Sequence, residues 1–283
     1  MLLKNKISNA NMLVVKFTVP VLVIHGGAGS WRNSAEDRVR REIGEALDRG
    51  YAEFRTGSSL EAVVEAVSYM EDVGIFNAGI GSVKNSEGQV EMDAGVMYGR
   101  DMSVGAVASV RAKNPVREAL KVLRDGKHAL MVRTVWEDLR IEGVEHGSDT
   151  VGAVALDAEG GLSAATSTGG IRGKLPGRVG DSPIPGAGFY ATSRVAVSCT
   201  GVGELILKIL PSKEVDMLRG MDFPLEEAVR AVVGKMTSTF GSGNFGIIAL
   251  DYQGNSSWGF NTEAMPRGVR WNQGKRVMFW EGS

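Results

Sequence analysis

The sequence predicts an α+β domain in which layers of antiparallel strands pack against blocks of helix. Two hairpins support this fold class, one over residues 151–156 and 162–168 and the other over 245–251 and 256–261, each with a glycine-bearing turn. Helical stretches lie in blocks before and between these hairpins rather than alternating with single strands, which argues against a Rossmann sheet. The 38 glycines cluster at the ends of elements and in a few dense motifs, a pattern typical of tight turns and of backbone close to a ligand.

Six helices and a first strand are expected outside these hairpins. The first strand is expected at residues 20–24. Apolar residues at helical spacing predict the helices, which are expected over residues 35–54, 59–72, 115–126, 129–140, 203–210 and 225–239. Ser58 and Glu61 have the spacing of a capping box before the second helix, and Pro115 stands at a favoured first position of the third.

The composition describes a globular chain of 283 residues with a formal net charge of −1. This charge predicts no general affinity for nucleic acid or anionic membranes, and no apolar run approaches the roughly 20 residues that a membrane span needs. We interpret residues 1–19 as an extension before the first strand rather than a signal peptide, because Lys16 interrupts its apolar part and no small-residue cleavage site follows. The single cysteine, Cys199, excludes an internal disulfide and suits a cytoplasmic location.

Three threonines beside glycines, Thr150, Thr168 and Thr200, form the most informative pattern in the chain. Taken alone, such threonines are usually structural residues at strand ends. A hydroxyl is a poor nucleophile unless a base takes its proton, and none of the three histidines lies near these threonines in sequence. The other base available to a threonine is its own α-amine, whose pKa is about 7.7–8.0. That amine is free only if the preceding peptide bond is broken, and the polar segment 141–149 is a place where a break would not disrupt the core.

Residues 149–191 closely resemble plant-type L-asparaginases and isoaspartyl aminopeptidases, which belong to the N-terminal-nucleophile (Ntn) hydrolases. The resemblance continues through residues 199–201, 25–29 and 76–83, so it covers nearly the whole chain after about residue 20. It implies a four-layer αββα sandwich formed by residues 1–283 as a single domain. The resemblance also implies self-cleavage into two subunits, an α subunit of residues 1–149 that ends in the linker 141–149, and a β subunit of residues 150–283.

The catalytic roles implied by this resemblance fall on the three threonines and a glycine. Thr150 matches the nucleophile, which is released by cleavage of the bond between Asp149 and Thr150. Thr168 matches the hydroxyl that lies beside the nucleophile and tunes it. The Thr200 hydroxyl and the Gly201 N–H match the oxyanion hole, the pair of donors that stabilises negative charge in the transition state.

The substrate-binding roles implied by the resemblance suit an amino acid with free α-groups. Arg178 matches the residue that binds the α-carboxylate, and Asp181 matches the anchor of the α-ammonium. One cation and one anion three residues apart are what a zwitterion needs, although such a pair can also be a surface ion pair worth little. Gly201 and Gly203 match residues that line the amino-acid site, and Asn77 matches a residue facing the nucleophile and the substrate.

The resemblance further implies a structural sodium ion, no cofactor for catalysis, and assembly as a dimer of αβ heterodimers. The sodium would be wrapped by main-chain carbonyls, and the matching residues are Met70, Glu71, Val73, Phe76, Ala78 and Ile80. Gly74 stands in this loop where many relatives have proline.

The function expected from these residues is hydrolysis of L-asparagine and β-aspartyl dipeptides, with release of aspartate through an acyl-enzyme on Thr150. A glycosylasparaginase-like amidase shares the expected fold, but it would need a secretory signal that we do not find. A threonine endopeptidase of the taspase type is a further alternative. The chain could also be an unprocessed amino-acid-binding protein, and cleavage before Thr150 would distinguish the enzymes from the binding protein.

Overall fold

The computed structural model describes residues 15–31, 36–139 and 150–280. Most of the expected N-terminal extension, the start of the first helix, the linker and Asp149 lie outside these ranges. The strands are β1 (Val15–Lys16), β2 (Val21–His25), β3 (Met92–Tyr98), β4 (Ser103–Val110), β5 (Leu130–Val132), β6 (Val151–Leu156), β7 (Leu162–Thr168), β8 (Phe189–Ala191), β9 (Val195–Gly201), β10 (Phe245–Asp251), β11 (Asn255–Phe260), β12 (Arg267–Trp271) and β13 (Gly274–Met278). The α-helices are α1 (Glu36–Ala52), α2 (Ser59–Asp72), α3 (Pro115–Asp125), α4 (Gly203–Ile209), α5 (Pro211–Gly220) and α6 (Leu225–Phe240).

The strands form two sheets. The larger has eight strands in the order β13-β12-β2-β6-β7-β3-β4-β5, and the smaller has five in the order β1-β11-β10-β9-β8. Both expected hairpins are confirmed, since β6 pairs with β7 and β10 pairs with β11, each antiparallel. No helix in the described part of the chain is both long and apolar enough to cross a membrane.

Alternating side chains of the central strands enter different cores. In β2, Leu22 and Ile24 pack with α1 and α2, whereas Val21 and Val23 pack with residues of the smaller sheet. This alternation follows from the two-residue period of a strand, which sends successive side chains to opposite faces. Because both faces are covered, residues 21–24 form a continuous apolar run and every residue of the strand, including His25, is buried.

The smaller sheet repeats this arrangement with its own helices. In β10, Ile248 contributes to the core shared with the larger sheet, and Ile247 contributes to a core with α5 and α6 that includes Val229. Strands β6 and β7 lie against β9. Thr150 directly precedes β6, and Thr168 is the last residue of β7. Both therefore lie at the end of the larger sheet that packs on β9, the strand that ends at Gly201.

The helix expected over residues 129–140 is wrong for the residues that the structure describes, which extend to 139. Residues 130–132 form β5, which pairs in parallel with β4. The chain bends at Arg133, whose φ is 56°, and the Arg111 N–H then donates to the Val135 carbonyl. The free edge of β4 offers backbone partners, and the β-branched residues Val132, Thr134 and Val135 favour an extended chain. Tertiary pairing therefore overrides the helical pattern.

Two other elements differ from the sequence-based expectations. Residues 15–19 of the expected extension belong to the fold, because β1 pairs with β11 and the Phe17 ring contacts the Trp271 ring with centroids 4.6 Å apart. The stretch after Gly203 contains two helices, of which the sequence predicted only α4. Leu210 has a φ of 57°, which ends α4, and Pro211 starts α5 at a position where its missing N–H costs nothing.

Candidate active site

A small cleft with about 190 Å³ of empty space gathers most of the expected site residues. Six of them line it, namely Thr150, Thr168, Arg178, Asp181, Gly201 and Gly203. Gly170 and Ile171 complete the lining found among the described residues, which includes neither Thr200 nor Asn77. The residue before β6 therefore meets residues from β7, β9, α4 and the loop after β7 in one place.

Thr150 is a buried residue at the head of β6. Val151 pairs with Ser167 in the β6–β7 hairpin, so continuing this register places Thr150 opposite Thr168 at the same end of the hairpin. The Thr168 hydroxyl accepts a hydrogen bond from the Gly170 N–H at 3.0 Å, which orients it at the turn that follows β7. Two buried hydroxyl groups are therefore held on neighbouring strands at the edge of the cleft.

Ser182 is a contact of Thr150 that the sequence analysis did not identify. Its Oγ lies 3.3 Å from the Thr150 Oγ1, and its carbonyl accepts a hydrogen bond from the Thr166 hydroxyl at 2.7 Å. Ser182 directly follows Asp181, so the loop that carries the expected α-ammonium anchor also touches the expected nucleophile. The contact joins residues 32 positions apart in the chain. The position of Ser182 directly after Asp181 was therefore the only feature of the sequence that could have indicated it.

Thr200 and Gly201 lie at the end of β9. The Thr200 hydroxyl is buried and accepts a hydrogen bond from the Ala28 N–H at 3.3 Å, which leaves its own proton available to another acceptor. Gly201 has a φ of 138°, and a Cβ there would lie 2.1 Å from the carbonyl oxygen of Asn244. Glycine is thus required at position 201 by both its backbone conformation and its close approach to the neighbouring strand.

Arg178 and Asp181 both reach the cleft but differ in their electrostatic surroundings. Arg178 donates to both carboxylate oxygens of Glu204, at 2.8 Å each. The Asp181 Oδ2 is buried and has no hydrogen-bond partner among the described residues. Burial raises the pKa of Asp181 to about 7, against the opposing effect of the Arg178 charge. A buried carboxylate oxygen without a donor is a binding position for a cation.

The raised pKa of Asp181 predicts a pH-dependent KM. Below pH 7 the carboxyl group is mostly protonated, and each further pH unit lowers the anionic fraction about tenfold. If the anion binds the α-ammonium, KM for L-asparagine should rise toward tenfold per unit between pH 6 and 5 and level off above pH 8. Steady-state kinetics of the processed protein measure this, and Asp181→Asn should give a high KM without the rise. A wild-type KM that stays flat from pH 5 to 8 would contradict the assignment.

Asn77 supports the wall of the cleft from behind. Its side-chain amide donates to the Gly170 carbonyl at 2.7 Å and accepts from the Val83 N–H at 3.0 Å. Its backbone carbonyl accepts from the Gly169 N–H at 2.9 Å. This geometry makes Asn77 a residue that positions the 169–170 turn behind the cleft, and its expected place beside the nucleophile and the substrate stays a prediction.

Glu91 binds the loop that carries Arg178. The Glu91 carboxylate accepts from the Gly177 N–H at 2.9 and 3.1 Å and from the Ser109 hydroxyl at 2.6 Å. Lys174 is buried and donates to the Glu91 backbone carbonyl at 2.6 Å. Arg178 thus follows a segment tied to β3 and β4, and this anchoring limits the movement of the guanidinium.

His25 lies beside Thr150 without a role as a base at neutral pH. The ring is fully buried, and burial lowers its pKa to about 3 despite a contact with the Thr150 backbone. Its Nε2 lies 2.8 Å from the Ser198 hydroxyl. Neutral His25 therefore serves as a buried hydrogen-bonding residue, in agreement with its exclusion from the chemistry on sequence grounds.

The expected sodium loop starts at the end of α2. Met70 and Glu71 belong to the last turn of that helix, whose carbonyl oxygens lack helical partners and carry the negative end of the helix dipole. The chain then folds back so closely that a Cβ on Gly79 would lie 2.4 Å from the Glu71 carbonyl oxygen. Among the described residues, no cluster of three or more His, Cys, Asp or Glu side chains could hold a metal.

Comparison with known proteins agrees with the resemblance predicted from residues 149–191. A family model described as asparaginase matches residues 18–142 and 134–279. A plant-type L-asparaginase of Pyrobaculum calidifontis is 41% identical over 286 residues, covering 87% of this chain and 95% of the relative. An isoaspartyl peptidase of Escherichia coli is 38% identical over 297 residues, covering 87% and 91%. An isoaspartyl peptidase/L-asparaginase of Bos taurus is 37% identical over 283 residues, covering 87% and 92%. The prediction of this resemblance is confirmed, and the chain belongs to the asparaginase family.

Proposed function

We propose that the protein is an autoprocessing threonine amidohydrolase that releases aspartate from L-asparagine and from β-aspartyl dipeptides. One observation carries the proposal. Thr150, the Arg178 cation and an Asp181 carboxylate oxygen that has no hydrogen-bond partner in the described part of the chain share one small cleft. A substrate with both α-groups bound there directs its side-chain amide toward the threonine. The names of the relatives, plant-type L-asparaginase and isoaspartyl peptidase, support the same substrates.

The first chemical event in this proposal is cleavage of the bond between Asp149 and Thr150. Cleavage divides the chain into an α subunit of residues 1–149 and a β subunit of residues 150–283, and it gives Thr150 a free α-amine. An α-amine titrates at about 7.7–8.0, so a useful fraction is neutral at physiological pH and can take the hydroxyl proton. His25 cannot supply this base from its place beside Thr150, because its pKa is about 3 and its Nε2 is engaged by Ser198.

Substrate turnover then follows in two acyl transfers. The Thr150 Oγ1 attacks the side-chain carbonyl, and the Thr200 hydroxyl and the Gly201 N–H stabilise the negative charge that develops on its oxygen. The amine of Thr150 returns the proton to the leaving nitrogen, so ammonia or the amine of an amino acid departs. Water then attacks the ester on Thr150 and releases aspartate, while Arg178 and Asp181 hold the α-groups in place.

We further propose that the layers are arranged as an αββα sandwich in a single domain. The shared core between the two sheets and the separate cores of α1–α3 and α4–α6 support this order of layers. Such packing keeps both halves of a cleaved chain together, because β6 and β7 of the β subunit are flanked by β2 and β3 of the α subunit.

The resemblance also implies a bound sodium ion and a further level of assembly. A sodium ion bound by the carbonyls of the α2–Gly79 turn would stiffen the segment that carries Asn77. We propose assembly as a dimer of αβ heterodimers from the resemblance, and a cytoplasmic location from the single cysteine.

A substrate panel tests the proposed function directly. Because Arg178 and Asp181 bind free α-groups, we expect processed protein to hydrolyse L-asparagine and β-aspartyl dipeptides and to leave α-linked dipeptides and N-acylated asparagine intact. Release of aspartate is measured for each compound. Efficient turnover of N-acylated asparagine would contradict the role of Asp181. A full-length chain that binds asparagine without hydrolysing it would instead support the amino-acid-binding alternative.

A further inference from the structure

The guanidinium of Arg178 already pairs with a carboxylate of the protein itself. Its Nε donates to Glu204 Oε1 and its Nη2 donates to Oε2, both at 2.8 Å, which is the bidentate geometry of a strong Arg–carboxylate pair. The exposed fraction of the side chain is 16% for Arg178 and 51% for Glu204. Glu204 lies in the first turn of α4, where the helix dipole also favours a negative charge. A substrate α-carboxylate must therefore share Arg178 with Glu204.

The second edge of the guanidinium, between Nη1 and Nη2, is surrounded by glycines. A Cβ placed on Gly180 would lie 2.8 Å from Nη1, and one on Gly203 would lie 2.8 Å from Nη2. A Cβ on Gly170 would lie 3.2 Å from Nη1. Gly170 and Gly203 line the cleft, so this inner edge lies beside the cleft, and side chains larger than glycine would crowd it. The outer edge, between Nε and Nη2, is the one that Glu204 occupies.

We propose that Glu204 is a positioning residue that fixes Arg178 and thereby sets the affinity for the substrate α-carboxylate, an inference that rests on the proposed function. With its outer edge paired, the guanidinium plane cannot rotate freely, and its inner edge stays directed into the cleft. This preorganisation lowers the entropic cost of forming a second carboxylate pair. The same contact favours substrates that have an α-carboxylate. A compound without this group cannot pair with the oriented edge of Arg178 and gains no affinity from it.

Glu204 could in principle act in the opposite direction, as an internal competitor of the substrate. Two observations favour positioning. Among the described residues, Glu204 takes only the edge between Nε and Nη2, so substrate binding at the inner edge does not require Glu204 to leave. The carboxylate is also half exposed, and water and salt screen its repulsion of a second anion, whereas the hydrogen-bond geometry that orients Arg178 is not screened.

The test compares Glu204→Ala and Glu204→Gln in protein whose mass shows complete processing. For Glu204→Ala, KM for L-asparagine is expected to rise about tenfold as the guanidinium loses its fixed orientation, while kcat stays within about twofold because the reacting atoms are not touched. Glu204→Gln keeps one acceptor for Arg178 and should have an intermediate KM. Binding of L-aspartic diamide, which lacks carboxylates, is measured as inhibition of asparagine hydrolysis and should be the same in all variants.

Glu214 provides a matched control, because it also lies in the first turn of a helix and forms an ion pair, with Lys235 at 2.8 Å. Glu214→Ala should leave KM unchanged. A lower KM in Glu204→Ala would show that Glu204 competes with substrate, and an unchanged KM would show that it does not position Arg178. Equal weakening of asparagine and diamide binding would indicate general damage to the cleft. Failure of the proposed function is distinguished by the absence of asparagine hydrolysis in the wild-type protein.

Discussion

Replacing Thr150 with alanine is expected to leave the chain uncut and inactive. The substitution removes the hydroxyl proposed to act both in self-cleavage and in attack on the substrate. Loss of a catalytic nucleophile lowers turnover on the order of 10⁴–10⁶-fold in well-studied hydrolases. Intact mass under denaturing conditions should show two chains for the wild-type protein, the smaller beginning at Thr150, and one full-length chain for Thr150→Ala.

Two further variants make this result specific. Thr150→Ser keeps a hydroxyl and should recover partial cleavage and activity. Thr237→Ala removes a threonine hydroxyl of α6 that is bonded to the Val233 carbonyl and should process normally. If Thr150→Ala is still cut at the same bond, an external protease is responsible and the self-cleavage proposal is wrong.

Replacing Thr200 with valine is expected to lower kcat by a factor on the order of 10²–10³, the typical effect of losing one oxyanion donor. Valine keeps the shape of the buried side chain but cannot donate to the developing negative charge. The neutral amide oxygen of the bound substrate attracts such a donor only weakly, so KM should change little when KM reflects binding. The present geometry suits this role, because the hydroxyl oxygen accepts from the Ala28 N–H and its proton remains free to donate.

The Thr200 variant must be measured on processed protein, since the same hydroxyl can assist self-cleavage. Steady-state kinetics of the fraction with two chains separate kcat from KM, and thermal unfolding checks that the buried substitution has not loosened β9. Thr200→Ser keeps the donor and should retain most of the activity. A steep rise in KM with unchanged kcat would instead show that Thr200 binds the substrate. The oxyanion would then be stabilised by the Gly201 N–H and by a second donor other than Thr200.

Much of the site could be predicted because its residues form an ordered set in one stretch of sequence. Thr150, Thr168, Arg178 and Asp181 occur within about thirty positions, and the β6–β7 hairpin and the loop after it bring all four into one cleft. Short connections make such contacts local, so a strand pattern and a glycine-rich loop are enough to predict them. The helix predicted over residues 129–140 was wrong for the opposite reason, since the strand β5 that forms there pairs with β4, which lies more than twenty positions earlier.

By itself, the sequence determined the hairpins, most of the helices and the family, because periodicity and motif order are properties of the chain. It also indicated the candidate nucleophile and the two residues, Arg178 and Asp181, that are expected to bind the α-groups of the substrate. Only the tertiary structure decided which partners these residues have. The contact of Ser182 with Thr150, the pairing of Arg178 with Glu204 and the raised pKa of Asp181 depend on distance and burial. Electrostatic and hydrogen-bond energies fall steeply with separation and rise as water is excluded, so they are determined only when the folded chain brings distant segments together.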